Sequence, residues 1–455
     1  MYKTFAISII KTLRQHGFQA YLAGGCVRDL LLGREPEDFD VATSATPTRV
    51  MEIFPDTYAV GAQFGVVLVP VPEGKPENPD ETAMPQGPVE VATFRSDLAY
   101  SDGRHPDEVR FTQYPGEDVA RRDFTINGMM LDPMTGEVLD FVGGRKDLDA
   151  KLIRAIGDPI RRFGEDKLRM LRAVRFAARF EYEIEIETLV AIQALAHEIE
   201  MVSRERVRDE LTKMLTEGNA RRAFLLLDQA GLLREVLPEI SVMKGVQQPP
   251  EFHPEGDVFV HTLLLLENLP QPCPVTLAWG ALLHDVGKPA TFRVAPDRIR
   301  FDNHVDVGVK IAADICERLR FSNHDAAQVL ALVENHMRFG HVSRMKGSTL
   351  KKFLRLPGFE EHLSLHRADS LASHRNLSTY EFLRNKLTEI PPEEIRPVAL
   401  ITGDDLIAAG YAPGPVFREI LETVEEAQLE GRLLSHQAAL EFVKSAFPVQ
   451  GSTEA

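Results

Sequence analysis

The sequence predicts an α+β protein: a small head that mixes sheet and helices, followed by a long all-α remainder. Three observations predict it. Apolar segments of strand length fall within the first 145 residues or so, apolar residues recur at helical spacing after Lys146, and proline-rich stretches interrupt the helical part. At 455 residues and 44% hydrophobic, the chain has material for about three domains, which excludes wholesale disorder.

The opening MYKTFAISIIKTLRQHGF reads as an amphipathic helix with Phe5, Ile9, Ile10 and Leu13 on one side. It lacks the apolar core and small-residue cleavage site of a signal peptide. Residues 20–23 and 39–42 read as short strands, and 66–71 and 89–94 as two longer ones. Between the last two, residues 72–88 hold five prolines and two glycines among polar side chains, an exposed loop. Helical spacing then runs through 168–180, 189–199, 207–215 and 223–232, with no strand expected among them. Residues 244–256, with Pro249, Pro250 and Pro254, read as an inter-domain connection. A second helical block follows over 258–383, and the three prolines of 390–397 set off a helical tail.

Sixty-eight acidic against 52 basic side chains give a net charge of −16, which disfavours indiscriminate polyanion binding but leaves room for a local basic surface. Cys26, Cys273 and Cys316 are too few and too scattered for a disulfide framework or a cysteine zinc site. No apolar run reaches the roughly 20 residues of a membrane span. The expectation is a cytoplasmic protein without a membrane partner.

Residues 20–40 read AYLAGGCVRDLLLGREPEDFD. A strand ends at Gly24-Gly25 and a helix begins at once. Two glycines let the backbone approach a phosphate, the helix start favours an anion, and Arg28 can add a bidentate contact. In Asp38-Phe39-Asp40, positions 38 and 40 of a strand share one face. Paired carboxylates repel unless a cation lies between them, and hard oxygen donors suit Mg²⁺. Beside a Gly-Gly turn 13 residues upstream, the pair points to metal-assisted phosphoryl or nucleotidyl transfer rather than an exposed acidic turn. Glu90, alternating with Val89 and Val91, is either a third carboxylate or a solvent-facing one. In Arg121-Arg122-Asp123-Phe124-Thr125-Ile126-Asn127, Arg122 suits a triphosphate and Asp123 a ribose or an arginine; spacing alone does not decide.

The run LAGGCVRDLLLG and DFDVAT, followed by TFR, RRDFTIN and FGEDKLRMLRAVRFAAR, resembles the class II tRNA nucleotidyltransferases and bacterial poly(A) polymerases over about the first 230 residues. The resemblance implies a polymerase-β-like head over 1–145 and a helical neck and body over 146–245 that binds nucleotide and RNA. It implies Mg²⁺ held by Asp38 and Asp40, with Glu90 beside them, and nucleotide contacts from Gly24, Gly25, Arg28, Arg122, Asp123 and Asn127. Glu165, Asp166 and Arg169 form the family's EDxxR element. Asp166 and Arg169, three apart on one helical face, would read the base as a protein template, with Arg172 and Arg175 lining the pocket. Residues 100–109 match a loop that helps switch the family's site from C to A.

Downstream, His261, His284-Asp285, His304, His336 and Asp369 recur in helix-compatible settings. Together they resemble the HD phosphohydrolases, over 246–383, with the remaining 384–455 a helical tail. Imidazole and carboxylate ligands suit Mn, Ni, Fe or Zn. The resemblance implies phosphatase or phosphodiesterase action on 2′,3′-cyclic or terminal phosphates at RNA ends. The expected activity is addition of CCA to tRNA 3′ ends from CTP and ATP, with no DNA partner. The alternatives are a poly(A) polymerase, an A-adding or CC-adding enzyme, or a non-catalytic RNA- or nucleotide-binding protein.

Overall fold

The computed structural model describes residues 2–59, 64–71, 87–98, 108–251 and 253–448, which fall into two units, Met1–Ser241 and Val242–Ala455. Helix α1 (Tyr2–Gln15) buries Tyr2, Ala6, Ile9, Ile10 and Leu13, the apolar stripe read from the sequence, and packs on β1 (Ala20–Ala23). Helix α2 (Gly25–Leu31) follows at once, then β2 (Val41–Thr43), α3 (Pro47–Ile53), β3 (Val66–Val69) and β4 (Val89–Thr93). The pair β5 (Arg95–Leu98) and β6 (Glu108–Phe111) flanks residues 99–107. Most of the loop matched to the C-to-A switch therefore lies outside the described residues, as do 72–86 of the proline-rich loop.

After α4 (Pro115–Ala120), β7 (Met129–Leu131) and β8 (Val138–Asp140) complete a six-stranded mixed sheet of order β3-β4-β2-β1-β7-β8. Strand β1 runs antiparallel to β2 and β7, while β2 runs parallel to β4 with Ala42 opposite Ala92. That pairing brings the chain entering β2 beside Glu90. In β4, Val89, Val91 and Thr93 are buried and Glu90 exposed, the period of two that puts the carboxylate on the opposite face. The strand expected over 39–42 begins only at Val41. Asp38 and Asp40 lie in the chain entering it, although the Asp40 carbonyl still accepts from the Ala23 N–H at 3.0 Å.

Helix α5 (Gly144–Asp149) leads to β9 (Leu152–Ile153), α6 (Pro159–Glu165) and α7 (Leu168–Phe180), the last with the bounds its periodicity predicts. Strand β10 (Glu183–Ile184) pairs in parallel with β9, so the strand-free reading of this region is corrected. Two-residue ladders are too short to leave an alternation in the sequence. Helices α8 (Ile186–Leu195), α9 (Arg204–Thr216) and α10 (Ala220–Gln229) follow, with α7 packed on α9 and α10, and the short α11 (Leu233–Val236) and α12 (Pro238–Ser241) close the unit.

In the second unit, α13 (Val258–Glu267) and the largely apolar α14 (Val275–Leu283) precede α15 (Lys288–Thr291). A hairpin of β11 (Phe292–Val294) and β12 (Ile299–Phe301) interrupts the helical block expected here. Helices α16 (His304–Arg318), α17 (Asn323–Asn335), α18 (Gly347–Leu354) and α19 (Phe359–Ala372) follow, α14 packing on α17 and α13 on α19. The tail has its own core, including Ile401, Leu406, Tyr411, Ile420, Val424 and Val443. No described helix is long and apolar enough to cross a membrane.

Candidate active sites

The turn between β1 and α2 has a steric reason for its first glycine. Gly24 sits at φ +78°, and a Cβ there would lie 2.8 Å from Arg122 Nη1 and 3.9 Å from Asp40 Oδ2. The absence of a side chain is what lets the guanidinium close on the turn, with the Asp40 carboxylate next to it. They face an open cleft of about 560 Å³ that Gly24, Gly25, Arg28, Asp40, Glu90, Arg122, Asp123, Asn127, Asp166, Arg169 and Arg172 line together. Asp38 lines a smaller adjoining cavity of about 210 Å³, with Gly25, Arg28 and Asp40 again in its wall.

The acidic corner is electrostatically loaded. Burial first, and then the Glu90 charge, push the Asp40 carboxyl up to about 6, with Arg122 opposing. Burial and the Asp38 charge raise Glu90 as well. Carboxylates that repel one another in a half-buried corner are an oxygen donor set suited to a hard divalent cation.

The arginines around the cleft are held from behind. Asp118 accepts from Arg121 at 2.7 Å and from Arg122 at 3.1 Å. The RRDFTIN segment ties the head to α7: Asp123 Oδ2 accepts from Arg172 Nη2 at 2.7 Å, and its Oδ1 accepts from Asn127 Nδ2 at 3.1 Å. Asn127 Oδ1 in turn accepts from Arg28 Nη1 at 2.7 Å. Of the two partners read for Asp123, the structure has the arginine. Arg28, expected on a phosphate, is buried, paired with Asp29 and Asn127, and lies 4.5 Å from the Phe180 ring centroid.

Burial alone would raise the Asp123 carboxyl, yet Arg172, Asn127 and its own neighbour's N–H bring it down to about 2. A depressed carboxyl stabilises the fold above its unfolded value and loses that contribution as pH falls through the folded value. Asp123→Asn is therefore expected to cost about 2 kcal/mol at neutral pH, the gap to wild type closing between about pH 4 and 2. Urea melts of both proteins across that range check it.

Asp166 and Arg169 share the cleft but not a helix. Asp166 caps the end of α6 in an extended conformation, and α7 starts at Leu168. The expected helical pair is thus replaced by two separately anchored groups. Asp166 Oδ2 accepts from Arg206 Nη2 at 2.8 Å, and Arg169 Nη1 donates to Glu165 Oε2 at 2.9 Å. Glu165 does not line the cleft; it also pairs with Arg162. Nor does Arg175, expected in the nucleotide pocket. It is buried against Glu210 at 2.7 Å and tied to Glu217, joining α7 to α9. Arg206 and Phe176, neither of them a candidate from the sequence, also line the cleft. A residue brought in by a later helix leaves no local spacing to read.

In the second unit, Asp369 lies beside His261, and the four predicted histidines converge on Asp285. Its Oδ2 lies 3.0 Å from His284 Nε2 and 3.9 Å from His261 Nε2, and its Oδ1 lies 3.7 Å from both His304 and His336 Nε2. Asp369 Oδ1 is 3.1 Å from His261 Nε2. Gly287 makes the approach possible, since a Cβ there would meet the His304 carbonyl at 2.1 Å. His284, His304 and His336 each place Nδ1 within 2.9 Å of a backbone carbonyl, that of Ala281, Phe301 and Val333 respectively. That bond puts the proton on Nδ1 and turns the Nε2 lone pair to the cluster, the orientation of metal-ligating histidine. The four Nε2 atoms and Asp285 Oδ1 are buried without hydrogen-bond partners. Burial works to raise the Asp285 carboxyl, yet His284 and Lys288 hold it well below the usual range. The cluster opens into a cavity of about 430 Å³, whose walls include Lys288 and His253, neither of them singled out from sequence.

The chain matches the poly A polymerase head domain over residues 20–154, the probable RNA and SrmB-binding site of polymerase A over 181–243, and the HD domain over 258–373. It is 33% identical to the CCA-adding enzyme of Lactococcus lactis subsp. lactis (strain IL1403) over 440 residues, 95% of this chain and 94% of that one. With the CCA-adding enzyme of Bacillus pumilus (strain SAFR-032) it shares 38% over 286 residues, 62% of this chain and 64% of that one. The crystal structure of the Bacillus stearothermophilus CCA-adding enzyme in complex with CTP matches it with a TM-score of 0.72 at 28% identity, covering 97% of each chain.

Proposed function

Because this chain belongs to the family of CCA-adding enzymes, we propose that it adds CCA to tRNA 3′ ends from CTP and ATP without a nucleic-acid template. The observation that carries the reading is one cleft in which Asp40 and Glu90 face Arg122, Asp166, Arg169 and Arg172. The RNA 3′-hydroxyl attacks the α-phosphorus; the new P–O bond forms as the α–β bridging bond breaks, and pyrophosphate leaves with the hydroxyl proton passing to solvent. Asp38, Asp40 and Glu90 are the donors for Mg²⁺, which when bound offsets triphosphate charge and acidifies the attacking hydroxyl.

Arg122, anchored by Asp118, supplies positive charge beside Gly24 for phosphate oxygens. Asp166 offers an acceptor and Arg169 a donor. Cytosine and adenine both carry an amino donor next to a ring-nitrogen acceptor, whereas guanine and uracil reverse that order. The pair therefore suits C and A and leaves G or U with unsatisfied groups. Asp123, Arg172, Asn127 and Arg28 hold the head's catalytic turn to the neck helix, so the base reader and the carboxylates keep one spacing.

We read the second cluster as a divalent-metal phosphohydrolase centre on His261, His284, Asp285 and Asp369, with His304 and His336 on the far oxygen of Asp285. Buried imidazoles aimed at a carboxylate suit Mn, Ni, Fe or Zn, and Lys288 at the cavity wall suits a phosphate. Its proposed substrates are 2′,3′-cyclic or terminal phosphates at RNA ends.

The test is product length. Pure protein given tRNA ending at the discriminator base, with CTP and ATP together, is expected to extend it by about three nucleotides, C, C and A. A long A tail or a lone A identifies a poly(A) polymerase or an A-adding enzyme, CC alone a CC-adding one, and binding without pyrophosphate release a non-catalytic protein.

A further inference from the structure

The segment entering α13, which reads as an inter-domain connection, wraps onto the HD cluster. Asp257 pins it at both ends, accepting from Gly245 N at 2.6 Å and from Val260 N at 2.8 Å. Between these points Gln248 accepts from Lys288 Nζ at 2.7 Å, and Lys288 itself lies 2.7 Å from Asp285 Oδ2. His253 and Glu255 come from the same segment. The Glu255 side chain is 7% exposed, and its Oε1 lies 2.7 Å from His261 Nδ1 and 2.9 Å from His253 Nδ1. The two rings meet edge to face at 4.8 Å, and His253 lines the cavity above the cluster.

His261 thus differs from its neighbours. His284, His304 and His336 rest Nδ1 on neutral backbone carbonyls, whereas His261 rests it on a carboxylate. A carboxylate behind an imidazole fixes the tautomer and makes the far nitrogen a stronger donor to a metal. The same oxygen fixes His253, so the nitrogen His253 has left for anything in the cavity is Nε2.

We propose that Glu255 is the positioning residue of the HD centre, holding His261 Nε2 toward the metal and turning the His253 Nε2 lone pair into the cavity to accept from a hydroxyl of the substrate. This rests on the metal-centre reading given above. One carboxylate would then align a metal ligand and a substrate-binding group together.

The experiment titrates the full chain with Co²⁺ and follows its visible absorption; the signal missing from His284→Ala belongs to the HD centre. Glu255→Gln is expected to weaken that binding about tenfold or more and to change the band shape, with Glu255→Asp falling between it and wild type. His253→Ala is expected to keep cobalt affinity within about twofold while raising KM for 2′,3′-cyclic AMP hydrolysis more than it lowers kcat. Glu255→Gln with wild-type affinity and spectrum, or His253→Ala with wild-type KM, overturns the proposal while the metal centre stands. A wild-type cobalt signal that His284→Ala leaves unchanged removes the centre, and this proposal with it.

Discussion

Asp40→Ala is expected to reduce nucleotide addition by about 10³-fold or more, because the divalent-ion contribution at stake is several kcal/mol. The same substitution is expected to leave melting in metal-free buffer at neutral pH no lower than wild type. Asp40 is partly buried, and burial and the Glu90 charge both oppose its ionisation, so in the absence of a cation the charge strains the corner instead of supporting it. Activity and stability therefore move in opposite directions, which separates a site residue from a structural one. Pyrophosphate release and thermal melts on the same preparation read both. Addition at the wild-type rate would show that the carboxylate corner is not where the chemistry occurs.

Asp166→Ala is expected to cost about 10²-fold in CTP and ATP incorporation, the ~2–3 kcal/mol of a charge-assisted hydrogen bond, and to lower the preference over UTP and GTP by a similar factor. The loss of preference is the diagnostic half. Removing a group that merely braces the fold slows all four nucleotides alike, whereas removing an acceptor that reads the base slows C and A and spares U and G. Asp166 also accepts from Arg206 and from Leu168 N, so the variant loosens the junction of α6 and α7. Arg206→Ala, which keeps the carboxylate but frees it, is the control: it is expected to show a smaller loss of preference than Asp166→Ala. Single-nucleotide incorporation with each triphosphate in turn checks both.

Much of this was legible in the residues. Helix α7 follows from its 3.6-residue period and the exposure of Glu90 from the alternation in β4, while the gathering of the histidines was implied by the resemblance to the HD phosphohydrolases. Arg175 was not. Its type and spacing equal those of Arg172, yet Arg172 faces the cleft and Arg175 is buried against Glu210 of α9. Which arginine of a helix meets a ligand depends on which helix covers its other face, and that helix lies some 30 residues further on. Asp166 was placed one helix too late for a similar reason: an extended residue between two helices carries the same letters as the first turn of one.

By itself the sequence determined which groups are present and how they neighbour one another along the chain: carboxylates after a glycine turn, an acid and an arginine three apart, and imidazoles with a His-Asp pair. Only the tertiary structure decided which of these groups line a cleft and which are buried against other elements. Parallel pairing of β2 with β4 brought Glu90 to Asp40, Asp123 bound the head to α7, and a segment that reads as a connector supplied Glu255 behind His261. Partners distant in sequence are selected by packing and by the need to pair every buried charge, and neither condition leaves a periodic mark on the chain.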